Sequence, residues 1–372
     1  MKVKTFSKAA KEKIILFLDS LRQDKEKFLF KPVLQGITDF GDRLELGFST
    51  YALKIYYMTG EWDNLKNEEQ DMWIKLINSY QINLMGFPNN SFIDQAYIDY
   101  FKANKEKLFI KDLAKKTLNK TLNRNYELTN NFIINSVRAE TKQCIATLYQ
   151  VGAKNNILYS DFEKYDIHNF LDSFDWSKPW SAGAQFSGLA VFSKTQIDSE
   201  KEYKQAKKKL IEFIGKKVKD DGAYYNGMQP STSETINGAM KVLTGLDWLD
   251  EKIHYPDKLI DICLNIKPKS EGCDLVDIVY VLYRCSLETT HRRKEIIRYF
   301  EDLISIVKSH YFPEKGGFSY YLKKSQTNYY GVETSKGFNT PDIHGTILLI
   351  WSIAMMSEVI DSSENIWKII KP

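Results

Sequence analysis

Asp342 and His344 stand directly before the run "GTILLIWSIAMM", an apolar stretch that must be buried. Carboxylate and imidazole are the side chains that most often move protons or hold metals. Five other apolar stretches open on polar residues in the same way. Their starts carry Asp39, Asp42 and Glu45, then Arg138, Glu140 and Thr141, then Gln185, then Ser233 and Glu234, then Asp274 and Asp277. Asp, Ser and Thr belong at helix starts for local capping reasons. His344, Arg138 and Gln185 are poor caps, so capping alone does not account for the set. Asp274 and Asp277, three residues apart, share one face of a helix and can share a proton-transfer task. Asp342 and His344 are the matching acid and base, or ligand, candidates.

The elements that position these residues follow from periodicity. The six stretches begin near "DFGDRLELGFSTYALKIYYMTG", "VRAETKQCIATLYQVG", "PWSAGAQFSGLAVF", "STSETINGAMKVLTGL", "GCDLVDIVYVLYRC" and "TPDIHGTILLIWSIAMM". Each reads as a helix apolar nearly all round, which requires cover on every side. Between them lie two-faced helices, clearest at 292–311, where Ile296, Ile297, Phe300, Leu303, Ile304 and Val307 follow i, i+3, i+4 spacing. Segments 161–174 and 256–266 play the same part. Repeats of roughly 40–50 residues point to a repetitive helical architecture. The expectation is an all-α chain forming one (α/α)6 toroid over residues 1–372, inner helices ringed by outer ones, with a helical insertion around 63–130. No stretch alternates with period two, so few strands are expected. In such a toroid the inner helices run the same way, and their polar N-terminal residues converge on one mouth of a central cavity.

Composition narrows the function classes. Hydrophobic residues make up 43% and charged residues 27%, the profile of a globular chain. Net charge is +4, and the basic run "YKQAKKKLIEFIGKKVKDD" has helical apolar spacing, so it reads as a solvated outer face and not a nucleic-acid patch. No signal peptide is expected from "MKVKTFSKAAKEK", nor a membrane span from the apolar runs. Cys144, Cys263, Cys273 and Cys285 form no CxxC pair, which predicts free thiols and a cytoplasmic location. Aromatics reach 13%, many in loops such as "FDWSKPW" and "GAYYNG". Trp176, Trp180, Tyr224 and Tyr225 are therefore candidate walls of a ligand site. His168, His254, His291 and His310 fall on outer helices or loops and read as bystanders. GxSxG, GxGxxG, HExxH and phosphate-loop motifs are absent.

Three pieces of the C-terminal half resemble the terpenoid cyclase and protein prenyltransferase superfamily, whose members are α/α toroids. They are "DDGAYYNGMQPSTSETINGAMKVLTGL" (220–246), "EGCDLVDIVYVLY" (271–283) and "KGGFSYYLKKSQTNYYGVETSKGFNTPDIHGTILLIWSIAMM" (315–356). The likeness lies in Gly-Gly-Phe-type loops leading into inner helices. It implies an isoprenoid-like or elongated substrate in the cavity. From the prenyltransferases it also implies a catalytic zinc held by Cys273 and His344, with Glu271 where the family has Asp. A second subunit is possible in that family but not evident here. The cyclase acid motif has no counterpart beyond Asp274 and Asp277, whose spacing differs. As a fold-level analogy only, such toroids also host glycosidases, lyases and uronate epimerases. Paired carboxylates among Asp42, Glu45, Glu234, Asp277 and Asp342 would then divide acid and base roles on a saccharide. A non-catalytic binding toroid is the third class.

Overall fold

The computed structural model describes residues 3–24, 27–122, 126–164 and 166–372. Among them are fifteen α-helices and three two-stranded antiparallel hairpins, so the protein is all-α. The first six helices are α1 (Val3–Leu21), α2 (Asp39–Arg43), α3 (Leu46–Thr59), α4 (Asn67–Ser79), α5 (Gln95–Ala103) and α6 (Lys105–Thr121). Next come α7 (Thr129–Gln150), α8 (Ile167–Asp172), α9 (Pro179–Gln196), α10 (Glu200–Gly215) and α11 (Thr232–Trp248). The order ends with α12 (Pro256–Leu264), α13 (Gly272–Ser286), α14 (Arg293–Ser309) and α15 (Ile343–Asp361).

The six apolar stretches fold as α3, α7, α9, α11, α13 and α15. Each packs on the next in that order, and α15 packs back on α3. Helices with a polar face lie against them: α10 on α9, α12 on α11 and α13, α14 on α13 and α15, and α1 on α3 and α15. In α14 the buried side chains are Ile296, Phe300, Leu303, Ile304 and Val307, one stripe of an amphipathic helix. The basic run becomes α10, which buries Leu210, Phe213 and Ile214. Its lysines reach glutamates at the surface, as in the Lys207–Glu251 pair at 2.8 Å. Residues between α3 and α7 supply α4, α5 and α6. α15 is long and apolar enough to cross a membrane, but most of it is buried against its neighbours.

Local chemistry sets the helix starts. Ser231 accepts from the Glu234 N–H to begin α11, and Pro179 occupies the first turn of α9, where no N–H is needed. Asp94 caps α5 and also accepts from the backbones of Glu45 and Leu46, at 2.8 and 3.1 Å, which ties the start of α3 to α5. The loop before α15 turns at Gly316, whose φ of +83° suits glycine. A Cβ there would also meet the Lys13 carbonyl oxygen at 2.0 Å.

Helices α9 and α11 approach closely through glycines. A Cβ on Gly238 would lie 2.5 Å from the Pro179 ring, and one on Gly245 would lie 2.5 Å from Phe186. Gly238→Ala gains helix propensity of about 1 kcal/mol but overpacks a backbone-to-ring contact at a cost of about 1–3 kcal/mol. A net loss of up to about 2 kcal/mol is expected in urea unfolding. A gain of about 1 kcal/mol, propensity alone, would show that the two helices are not seated this closely.

At the opposite end, the C-terminal segment crosses three helix ends. The Lys368 N–H donates to Met58 O (2.9 Å), the Lys371 N–H to Gln150 Oε1 (2.8 Å), and Trp248 Nε1 to Pro372 O (2.8 Å). The C-terminal ends of α3, α7 and α11 therefore lie together.

Candidate functional site

His344 is the second residue of α15. Its ring contacts Tyr51 of α3, stacked at 4.9 Å, and Tyr320 of the preceding loop, tilted at 5.2 Å. Nδ1 has no hydrogen-bond partner. Burial, with the charge of Lys241 adding to it, pushes His344 down to about 4, so the ring is neutral near pH 7. Cys273, second residue of α13, meets the Tyr320 hydroxyl. The N-terminal ends of α13 and α15 and the second turn of α3 thus share one cluster.

One turn deeper the side chains are charged. Lys241 of α11 acts electrostatically on Lys54 of α3, Lys142 of α7, Cys273 and Asp277 of α13, and His344 of α15. Its ammonium also lies 5.5 Å from the Trp180 ring centroid. Lys54 is buried, whereas Lys142 and Lys241 keep partial access. Burial lowers Lys54 to about 8, and burial with two neighbouring cations pushes Lys142 well down. Among the described residues, no carboxylate forms an ion pair with any of the three lysines.

Two acids complete the cluster. Asp277 is buried with Oδ2 unpartnered. Burial raises it to about 7, with Lys241 opposing and Asp274 and Glu234 reinforcing the shift. Asp274 itself accepts from Asn237 Nδ2 at 3.2 Å. Glu140, across the helices on α7, accepts from the Tyr329 hydroxyl and is likewise raised to about 7 by burial. Beside Glu140, Tyr330 and Tyr97 is a recess of about 20 Å³, room for about one water. Neither acid matches the strong acid needed to protonate an alkene, but both fit general acid chemistry near neutrality.

The expected residues divide into three groups. Asp274, Asp277 and His344 lie in the cluster, with Glu234 and Trp180 at its edge, where Glu234 accepts from the Trp180 N–H at 3.1 Å. Gln185 and Arg138 lie partly accessible on α9 and α7, and Arg138 donates to Asn135 at 3.0 Å and overlies Phe170. The remainder are held by local partners. Asp342 caps α15 and is wholly occupied by backbone N–H groups. Trp176 is buried against Phe213, its Nε1 donating to Leu171 O at 2.8 Å. Tyr224 pairs with His254 at 3.0 Å, and Tyr225 donates to Asp221 at 2.9 Å. Asp42 is exposed and paired with Lys31 at 2.8 Å, and Glu45 accepts from Tyr80. Trp176, Tyr224 and Tyr225 are thus buried against neighbouring side chains, while Trp180 stays exposed.

The zinc expectation is overturned. Among the described residues no three His, Cys, Asp or Glu side chains group to hold a metal, the set Glu271, Cys273 and His344 included. The Cys273 thiol is raised to about 11 by burial first and Asp277 second, so it keeps its proton. Tyr51 stacks on the His344 ring and Tyr320 lies tilted beside it.

Lys54, Lys142, Lys241, Tyr51 and Tyr320 were not among the expected site residues. The signal is a lone lysine inside an otherwise buried segment: "YALKIYY", "ETKQCIA" and "GAMKVLT" each hold one. No protein-family model, curated protein or solved structure matches this chain.

Proposed function

We propose that the six mutually packed helices form an (α/α)6 toroid, and that its interior, open at the helix N-termini, is the active site of an enzyme acting on an anionic, hydroxyl-rich substrate. A uronate-bearing saccharide has the required chemistry. The observation that carries this reading is the meeting of Lys54, Lys142 and Lys241 from three helices with no ion pair to a carboxylate among the described residues, Glu140 acting on Lys54 and Asp277 on Lys241 only at longer range. The buried Lys54, and Lys142 beside it, are costly to keep charged until an anion joins them. An isoprenoid diphosphate would also bring anionic oxygens to the lysines, so the choice between the classes rests on Asp277 and His344. A carboxyl raised to about 7 and a neutral imidazole suit proton transfer beside a carboxylate, whereas alkene protonation needs a stronger acid.

In this reading the lysines neutralise the substrate carboxylate and stabilise the charge that builds on it when the adjacent C–H proton leaves. His344, neutral and with Nδ1 free, accepts that proton. A bound anion beside Lys241 offsets the charge that depresses His344, so its basicity rises when substrate is in place. Asp277, half protonated near pH 7, donates to the departing oxygen in an elimination, or returns a proton in an epimerisation. Tyr51 and Tyr320 hold the imidazole in register.

The test is calorimetric titration with an oligouronate and with a neutral oligosaccharide of equal length, followed by ultraviolet detection of unsaturated product. Preferential uronate binding is expected, with Lys241→Met losing about 10- to 100-fold in affinity, the range for a charge-assisted hydrogen bond. Equal binding of the neutral sugar, or preference for an isoprenoid diphosphate, would sink the reading.

A further inference from the structure

Helix α6 stands apart from the packing that organises the rest of the chain, since none of its seventeen residues is buried. What holds it is polar and one-sided. Asp112 accepts from the Thr129 N–H and hydroxyl at 3.0 and 2.9 Å. Lys115 Nζ donates to Glu127 O at 2.6 Å, and Asn119 brackets the Tyr126 backbone. Asp112, Lys115 and Asn119, with Leu108, mark the face turned to the protein.

The opposite face carries Phe109, Leu113 and Thr117 at i, i+4, i+8, with Ile110 and Ala114 beside them. Phe109, Ile110 and Leu113 are 67%, 69% and 59% exposed. Lysines frame this stripe: Lys105 and Lys116 run along one edge, Lys107 and Lys111 along the other, and Lys120 closes the C-terminal end. Glu106, in the first turn, is the one acid on the outward face; Asp112 is turned inward and occupied.

An apolar stripe between two cationic edges is the pattern of a helix lying in the headgroup plane of an anionic bilayer. The rings and branched chains enter the acyl boundary, while the lysine stems extend along it and set their charges among the phosphates. Pairing of two copies through the stripe would bring the lysine edges of both together, which like-charge repulsion opposes. We propose that α6 is an interfacial anchor that binds this protein to anionic lipid surfaces.

The proposal is independent of the chemistry assigned to the helix cluster. It is tested by flotation of the full chain with vesicles of phosphatidylcholine alone and of phosphatidylcholine with phosphatidylserine. Binding to the anionic vesicles only is expected, weakening as salt rises. Lys107→Gln and Lys116→Gln should each weaken it about fivefold, the share of one lysine at a charged surface. Phe109→Asp with Leu113→Asp should abolish it. Because α6 buries no residue, these variants should keep the circular dichroism spectrum and melting temperature of the parent. Absence of binding to anionic vesicles, or binding undiminished by the double aspartate variant, overturns the proposal. So does self-association that the double variant blocks in a chain that ignores vesicles, or capture of an acidic protein by the stripe without lipid binding.

Discussion

Asp342→Ala is expected to lower folding stability by about 3–5 kcal/mol, the range for stranding several buried hydrogen-bond donors at once. One carboxylate oxygen accepts from the Gly345 N–H at 2.7 Å, and the other accepts from Tyr320 and Gln326 at 2.8 and 3.1 Å. All of this is buried, and each orphaned N–H costs about 1–3 kcal/mol before the loop relaxes. The carboxylate therefore starts α15 and fixes the loop that carries Tyr320 against His344. Urea unfolding of the variant measures the loss. Unchanged stability would return Asp342 to the list of groups free to act on a substrate.

The second large effect is a change with pH. Asp277 rises from 3.8 to about 7 on folding. A carboxyl raised in this way favours the folded state fully below its unfolded value. That contribution is lost as pH climbs through the folded value, at roughly 2–4 kcal/mol in all. Asp277→Asn removes the titration, so stability relative to the parent should improve by roughly 2–4 kcal/mol between about pH 4 and pH 8. Glu140, Lys54 and His344 titrate in both proteins and largely cancel in the comparison. His344 works in the opposite sense, its contribution present above 6.5 and lost as pH falls through about 4. Denaturation midpoints at several pH values provide the measurement. Parallel curves for the two proteins would mean that Asp277 ionises freely and is no proton donor near neutrality. A gain in stability joined to loss of turnover would mark a carboxyl held at the expense of stability.

The helices were legible because burial on all sides leaves a plain mark: "LLIWSIAMM" and "DIVYVLY" admit no other placement. Their starts were nearly as clear, since Ser231 and Asp342 each cap the N–H three residues on. The site was only partly legible. Asp277 and His344 announced themselves as polar groups heading apolar helices. Lys54, Lys142 and Lys241 stood out only as lone lysines within buried runs, a weak mark in a chain with 52 Lys and Arg residues. Their meaning arises from meeting across three helices, a fact of packing. The aromatic loops misled for the converse reason. Trp176 and Tyr224 have the composition of platforms, yet their polar atoms find partners in Leu171 and His254, which lie outside their own loops. The zinc expectation failed because, among the described residues, no third His, Cys, Asp or Glu groups with Cys273 and His344, a fact of packing that spacing along the chain does not carry.

The strap formed by Lys368, Lys371 and Pro372 has a consequence for how the chain is made. Helix α3 is synthesised some 300 residues before two of its neighbours, α15 and the strap. Until then the flank of α3 that α15 will cover stays bare, as do the carbonyl of Met58 and the indole of Trp248. The nascent chain thus carries an unsealed apolar seam while the intervening residues are made, and loop closure over some 300 residues is slow compared with local helix pairing. Holding that seam off other chains until the strap arrives is a task for the cell's chaperones, and it makes the rate at which that stretch is synthesised, as much as the final stability, a determinant of yield.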